Sequence, residues 1–197
     1  MKTMILRTIL LSVFGIAFII SGMIPQSNPG IGEQVPDFSL ANVDGKMVSL
    51  HSYENAKGYI VVFTCNTCPF AMAYQERLAD LHRKYAAKGF PVIAVNTSDS
   101  EQDIKDRAKE MDYPFVYLHD KTQEVTKAYG AARTPHVFVL TKNKTVAYIG
   151  AIDNNYKDAA AADEKYVEDA VDALLDDKPV KVTTTKAIGC TIKWKNI

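Results

Sequence analysis

Two cysteines separated by two residues could carry redox chemistry in this chain of 197 residues. They lie in Cys65-Asn66-Thr67-Cys68-Pro69, directly after the apolar run 59–64. A helical pattern of apolar residues follows, so both sulfurs are predicted to lie at a strand-to-helix turn. The first N–H groups of a helix lack partners within it, and together with the helix dipole they favour a thiolate, the nucleophile of disulfide exchange. The spacing therefore predicts a dithiol that closes to a disulfide.

The two sulfurs are predicted to have different roles. Cys65 is assigned as the nucleophile, because it is expected to lie nearest the helix start and to be the more exposed thiol. Cys68, one turn further on, is the resolving thiol, and Pro69 suits a first turn that needs no N–H donor. The alternatives are two ordinary buried cysteines or a zinc site. Zinc needs about four ligands, and the sequence offers no second Cys-x-x-Cys and no His-x-x-His pair, so no metal and no cofactor are expected.

A second feature is Thr134-Pro135, which immediately precedes the apolar run 136–140. Proline cannot donate a ladder hydrogen bond, so it marks either the start of a strand or a cis turn. Most such dipeptides are ordinary trans turns. In a chain with a strand, Cys-x-x-Cys and helix upstream, the dipeptide becomes a candidate part of the same site.

The elements around these residues predict an α/β domain with a mixed sheet, because strands alternate with helices along the chain. Asp44-Gly45 between short apolar alternations predicts a hairpin. The predicted strands are 59–64, 91–95, 115–118, 136–140, 145–150 and 190–194. The predicted helices are 70–88, 101–111, 124–129 and 166–175, and the segment 153–163 between the last hairpin and the last helix is predicted to be irregular.

Residues 1–24 have the pattern of an export signal or a signal anchor, with a charged start, an apolar run and small residues. A buried N-terminal helix is the alternative, but the run has no polar face. Residues 25–32 are predicted to be a linker, and 33–197 one domain. The protein is therefore predicted to be exported, either periplasmic or held at the membrane facing the periplasm by the tether 1–24.

The charge balance bears on the partners. The 23 basic and 23 acidic residues give a formal net charge of zero, and the absence of a basic stripe argues against a nucleic-acid partner. Three cysteines are too few for a disulfide framework that holds a small fold together. The expected partner is a redox protein or a disulfide substrate, and Cys190 is left over from the Cys-x-x-Cys pair.

Three segments resemble the thioredoxin-like superfamily, in the branch that gathers alkyl hydroperoxide reductase and thiol-specific antioxidant relatives. They are 35–38, 61–69 and 129–140. The resemblance covers roughly 32–175 and implies a thioredoxin-like fold, with a central mixed sheet flanked by helices and an N-terminal hairpin extension. It also implies that Pro135 is a cis-proline whose loop lies against the disulfide. Thr134 would then offer its backbone to an extended substrate segment.

The chain departs from the peroxiredoxin pattern within that branch. Peroxiredoxins place Thr or Ser three residues before the reactive cysteine and Pro four residues further back, where this chain has Val62 and Gly58. The hydroxyl that binds peroxide is therefore missing from its expected position. Arg133 resembles an arginine that peroxiredoxins carry before the corresponding strand. Beside Cys65, its guanidinium would lower the thiol pKa and hold a peroxide oxygen, and the alternative is an ordinary arginine on a surface loop.

Cys190 and His136 leave further chemistry open. Cys190 is hypothesised to approach Cys65 or Cys68 as a second resolving thiol, and the alternative is a cysteine that packs as a small hydrophobe. His136 is expected either to face the dithiol and tune Cys65 by its charge, or to complete a copper site with both cysteines.

These residues predict a thiol–disulfide oxidoreductase. Cys65 attacks a disulfide in a protein or small molecule, and Cys68 resolves the mixed disulfide that forms. The first alternative is a peroxiredoxin-like thiol peroxidase, in which Cys65 is oxidised by hydroperoxide to a sulfenic acid. The second is a copper-binding chaperone that uses Cys65, Cys68 and His136.

Overall fold

The computed structural model describes residues 28–195, so the predicted signal or anchor over 1–24 lies outside the described residues. Within 28–195 there are nine strands and four α-helices. The strands are β1 (Leu40–Asn42), β2 (Met47–Val48), β3 (Gly58–Thr64), β4 (Val92–Asn96), β5 (Val116–His119), β6 (Arg133–Thr134), β7 (His136–Thr141), β8 (Val146–Gly150) and β9 (Cys190–Thr191). The helices are α1 (Pro69–Tyr85), α2 (Glu101–Met111), α3 (Glu124–Ala128) and α4 (Tyr166–Leu175).

Seven of these strands form one mixed sheet in the order β2-β1-β5-β4-β3-β7-β8. The central strand β3 is parallel to β4 and antiparallel to β7, and β1 and β2 form the predicted N-terminal hairpin. The predicted α/β class with a central mixed sheet is therefore confirmed.

The strand β3 is buried along its whole length and divides the core into two layers. Successive side chains of a strand point to opposite faces. Ile60 and Val62 accordingly pack with residues of α1, α2 and α4, whereas Val61 and Phe63 pack with residues of α3 and the N-terminal segment. Each fully buried side chain of this size contributes about 1.5–3 kcal/mol to folding. This packing fixes the end of β3, where the cysteines follow.

The end of the predicted linker lies on the domain. The backbone N–H of Asn28 donates to the carbonyl oxygen of Ala128 at 3.2 Å, and the N–H of Gly32 donates to that of Val146 at 2.9 Å. None of the helices within residues 28–195 is long and apolar enough to cross a membrane.

The tail after α4 returns to the predicted site. It first runs beside β8, where the N–H of Ile149 donates to Thr183 and the N–H of Thr185 donates to Ile149, each at 3.0 Å. It then pairs β9 antiparallel with β6 in a separate two-stranded sheet. The predicted terminal strand 190–194 is thus present as the shorter strand β9.

Candidate active site

The Cys-x-x-Cys segment forms the turn between β3 and α1. The strand ends at Thr64, and the helix begins at Pro69 in its first position, as the sequence predicts. Cys68 is the N-cap residue, with an extended backbone at φ −76° and ψ 121°. The expectation that Cys65 lies nearest the helix start is therefore wrong, because the sulfur at the helix N-terminus belongs to Cys68.

Thr134 connects the two cysteines. Its hydroxyl oxygen lies 3.2 Å from the sulfur of Cys65, and its carbonyl oxygen accepts a hydrogen bond from the thiol of Cys68 at 3.0 Å. The peptide bond to Pro135 is cis, as the resemblance implies. The backbone of Thr134 pairs with Cys190 of β9, so the chain's own tail occupies the edge where an extended substrate segment was expected.

Cys65 is the more exposed of the two motif thiols, at 7% against 3% for Cys68. Burial raises the pKa of the Cys65 thiol, and the charges of Cys68 and Asp99 raise it further. Hydrogen bonds from the Thr134 hydroxyl and from the backbone N–H of Cys68 only partly offset them. The predicted thiolate at Cys65 is therefore not favoured in the reduced site. The helix start that was expected to stabilise a Cys65 thiolate acts on the sulfur of Cys68 instead.

Cys68 and Cys190 form a close pair of sulfurs. The two Sγ atoms are 2.6 Å apart, and all three cysteines are free thiols. Burial raises the pKa of Cys68, but the thiol of Cys190 and the backbone N–H of Ala71 outweigh it, and the net shift is downward. The contact with Cys68 and burial raise the pKa of Cys190 to about 11. The pair thus releases its first proton easily and its second with difficulty.

A buried polar network holds the residue after Cys65. The backbone N–H of Asn66 donates to the carboxylate of Asp99 at 2.6 Å, and the hydroxyl of Tyr117 donates to the Asn66 side chain at 2.6 Å. The side-chain amide of Asn96 donates to both Asp99 and Tyr117. Sequence reasoning missed this network. The signal available was that Asp99 follows β4, whose carboxyl end lies beside that of β3 in a parallel pair.

Arg133 does not have the role that a peroxide site would give it. Its guanidinium donates to the carbonyl oxygen of Gly189 at 3.0 Å, and its backbone pairs with Thr191. The described contacts of Arg133 therefore hold the tail and do not include Cys65. Neither sequence alternative, a thiol-activating arginine or a free surface arginine, describes this position.

The profile of the AhpC/TSA family matches residues 31–149, more than half of the chain, including both motif cysteines and the cis-proline. The chain belongs to the AhpC/TSA family. This confirms the resemblance stated from the sequence.

Several known proteins are similar to this chain in sequence or in fold. The thiol-disulfide oxidoreductase ResA of Bacillus thuringiensis subsp. konkukian is 29% identical over 119 residues, which cover 59% of this chain and 66% of that relative. The crystal structure of an uncharacterized conserved protein from Geobacillus kaustophilus is 36% identical, with a TM-score of 0.79 over 84% of this chain and 93% of that chain. A putative thiol:disulfide interchange protein DsbE from Chlorobium tepidum is 23% identical, with a TM-score of 0.64 over 75% of this chain and 99% of that one, and supports the fold.

The two departures from the peroxiredoxin pattern have packing reasons in this member of the AhpC/TSA family. Val62 is fully buried on the α1 side of the sheet. At Gly58, a Cβ atom would lie 2.2 Å from the Phe90 ring and 2.4 Å from the Leu140 carbonyl oxygen. Both positions therefore serve the core.

His136 does not act as a charged neighbour of the dithiol. Its ring lies 4.9 Å from that of Phe138 between centroids, and its Nδ1 accepts a hydrogen bond from the N–H of Ala132 at 3.4 Å. Burial lowers its pKa to about 4, so the ring is neutral at pH 7. Residues 28–195 contain no group of three or more His, Cys, Asp or Glu placed to hold a metal ion.

The half-buried His136 predicts that the protein loses stability in mild acid. Its folded-state pKa is about 4, against about 6.5 in an unfolded chain. The unfolded chain therefore binds more protons between these two pKa values. The contribution of the neutral His136 ring to the free energy of unfolding is fully present above pH 6.5 and is lost as pH falls toward 4. We expect wild type to lose up to about 3 kcal/mol more than His136→Phe over this interval. Urea unfolding of both proteins from pH 7 to pH 4 measures this, and parallel curves would contradict it.

Proposed function

We propose that this protein is a thiol–disulfide oxidoreductase that works through Cys65 and Cys68. The observation that carries the proposal is that both thiols contact Thr134, next to a cis-proline, at the turn between β3 and α1. Membership of the AhpC/TSA family and the name of the ResA relative support the same class of reaction.

In the proposed reaction the thiolate of Cys65 attacks one sulfur of a substrate disulfide, and the other sulfur leaves as a thiolate. Cys68 then attacks the sulfur of Cys65, forming the Cys65–Cys68 disulfide and releasing the second substrate thiolate. Access favours Cys65 for the first step, because it is the more exposed of the two. The pKa of Cys68 is shifted downward from its ordinary value, which favours the thiolate that the second step needs.

The position of Thr134 gives it two tasks in this scheme. Its hydroxyl lies close enough to hydrogen-bond with the sulfur of Cys65 and favours the thiolate there. Its carbonyl oxygen holds the thiol of Cys68 by accepting a hydrogen bond from it. Thr134 is therefore proposed as the residue that orients both sulfurs, with Pro135 fixing its loop.

Exchange with disulfides is expected to be much faster than reaction with hydroperoxide. Val62 stands at the position three residues before Cys65 where a peroxiredoxin has Thr or Ser, and the guanidinium of Arg133 donates to the carbonyl oxygen of Gly189. Stopped-flow measurement of the reduced protein with a small disulfide and with hydrogen peroxide, at equal micromolar concentrations, tests this. A faster loss of the Cys65 thiol with peroxide would favour a peroxidase instead.

The reduction potential of the Cys65–Cys68 pair provides the second arm of that test. A catalytic pair is expected near the range of thioredoxin-like enzymes, about −270 to −120 mV. Equilibration with glutathione or dithiothreitol buffers, followed by alkylation and mass measurement, gives the value. A potential below about −300 mV is typical of a structural disulfide and would count against the enzyme.

We further propose that the protein is exported and acts in the periplasm or at a membrane facing it, with residues 1–24 as signal or tether. The support is the charged start and apolar run of that segment, which has the composition of an export signal. A reporter enzyme that is active only after export, fused behind residue 32, tests the proposal, and an inactive fusion would contradict it.

A further inference from the structure

We propose that Cys190 is a third redox thiol of this site, and that Cys68 exchanges its disulfide partner between Cys65 and Cys190. The proposal rests on the proposed function for its first two steps. The observation behind it is the 2.6 Å separation of the sulfurs of Cys68 and Cys190. A disulfide bond is about 2.03–2.05 Å long, so a small movement joins them.

Cys190 is held beside Cys68 because the tail backbone lies close against the cis-proline loop. A Cβ atom on Gly189 would lie 2.2 Å from the carbonyl oxygen of Thr134 and 3.1 Å from the nitrogen of Pro135. Only glycine lets the tail backbone lie against the cis-proline loop at this distance. Arg133 adds a hydrogen bond to the Gly189 carbonyl oxygen at 3.0 Å.

A buried glutamine anchors the tail beyond Cys190. The side-chain amide of Gln123 donates to the carbonyl oxygens of Thr97 and Lys193, and its oxygen accepts from the N–H of Lys195 at 2.8 Å. Gln123 is fully buried, and Ile192, which precedes the Lys193 that it contacts, lies in the core at 3% exposure. Since the chain is held on both sides of Cys190, its sulfur is kept at Cys68 without the entropy cost of finding it.

The three sulfurs differ in access in a way that suits a relay. Cys68 and Cys65 are buried, whereas Cys190 is partly exposed. An external dithiol can therefore reach Cys190 more readily than Cys68. The exposed member of a Cys68–Cys190 disulfide would be the sulfur through which such a partner reduces the protein.

The third step is a disulfide exchange within the protein that needs no other reactant. After Cys65 has taken up a substrate disulfide and Cys68 has resolved it, the thiolate of Cys190 attacks the sulfur of Cys68. The Cys68–Cys190 bond forms, the Cys65–Cys68 bond breaks, and Cys65 leaves as a thiolate that takes up the proton lost by Cys190. A dithiol protein or small dithiol then reduces Cys68–Cys190, receives the disulfide and restores three thiols.

Formation of the Cys65–Cys68 disulfide makes the thiol of Cys190 easier to ionise. The largest cause of its raised pKa is the contact with Cys68. This cause disappears once Cys68 is held in a disulfide and cannot carry a negative charge. The Cys190 thiol is then easier to ionise, and a thiolate is the attacking species.

The variant Cys65→Ser tests the bond directly. Reduced variant is treated with glutathione disulfide, free thiols are blocked, and tryptic peptides are mapped without reduction. Residues 58–77 carry the motif and residues 187–193 carry Cys190, so Cys68–Cys190 joins two tryptic peptides. We expect most of the oxidised variant to show this joined pair. Glutathione adducts on separate peptides, with no joined pair, would overturn the proposal.

The variant Gly189→Ala supplies a second measurement on a protein that keeps all three thiols. The added methyl pushes the tail from the loop, so the ratio of joined peptides to the Cys65–Cys68 loop should fall by about tenfold or more. An unchanged ratio in a folded variant would overturn the proposal. Wild type that exchanges disulfides but yields only Cys65–Cys68 would overturn it as well and leave the proposed function intact. Joined peptides in Cys65→Ser, without disulfide exchange by wild type, would contradict only the proposed function.

Discussion

Cys65→Ser is expected to lower the turnover of disulfide exchange by on the order of a thousandfold or more, because removal of a nucleophile abolishes the covalent intermediate. A serine hydroxyl does not form a mixed disulfide, and Cys68 is only 3% exposed. The variant keeps only the slower route through the Cys68–Cys190 pair. The loss is measured as the steady-state rate of reduction of a protein disulfide by the variant in the presence of excess dithiol. Far-ultraviolet circular dichroism and the melting temperature establish that the variant is folded.

The matched variant is Cys68→Ser, which keeps the attacking sulfur and removes the resolving one. It is expected to react once with a disulfide and to retain the substrate as a mixed disulfide on Cys65. Mass measurement after alkylation shows such an adduct. If Cys65→Ser forms the adduct at the wild-type rate and Cys68→Ser does not, the two roles are reversed.

The assignment of the two roles depends on two properties of the thiols, because access and ionisation favour different sulfurs. Cys65 is more exposed, but burial, Cys68 and Asp99 raise its pKa. Cys68 has the lowered pKa, but it lies under the carbonyl oxygen of Thr134 and beside Cys190. Access decides for the first attack, since a thiolate that cannot meet the substrate sulfur in line does not react. The ionisation of Cys68 then shortens the life of the mixed disulfide.

The parts of the fold that depend on local patterns could be predicted from the sequence. The fully apolar run 59–64 gave the buried central strand, observed as Gly58–Thr64. The last helix was expected over 166–175 and is observed as Tyr166–Leu175. The helix expected over 101–111 is observed as Glu101–Met111, and Ser100 caps it by accepting from the N–H of Asp103. In each case the signal lies within a few residues, because periodicity and caps are properties of neighbouring positions.

The contacts that complete the site could not be predicted, because they join distant segments. The tail reaches Cys68 through a contact between residues 122 positions apart, and its path from 176 to 189 contains no regular element that a pattern would reveal. Asp99 contacts the N–H of Asn66 from 33 positions away. The pKa order of the two motif thiols depends on these contacts. The sequence therefore placed both cysteines at the turn between β3 and α1, where the structure has them, and assigned the helix start to the wrong sulfur.

Asp153→Ala is expected to destabilise the protein by about 3–5 kcal/mol, because it leaves the guanidinium of Arg77 largely buried without its charge partner. The two side chains form an ion pair at 15% and 6% exposure. The carboxylate also accepts hydrogen bonds from the hydroxyl of Tyr74 at 2.8 Å and the N–H of Asn155 at 2.9 Å. It thereby ties the irregular segment after β8 to the middle of α1, the helix that carries Cys68 at its N-terminus.

Asp80→Ala is the matched control for this change, since it removes a carboxylate from an ion pair on the same helix. Asp80 pairs with Arg83, and the two side chains are 71% and 56% exposed. Exposed pairs contribute about 0–1 kcal/mol. For a domain of this size, a loss of about 3 kcal/mol lowers the melting temperature by roughly 6–12 °C, so thermal unfolding separates the two variants clearly. If the low dielectric of the interior governs the interaction, removing a buried charge partner must cost more stability than removing an exposed one. Equal melting temperatures for Asp153→Ala and Asp80→Ala would therefore mean that the buried pair does not hold the segment to α1.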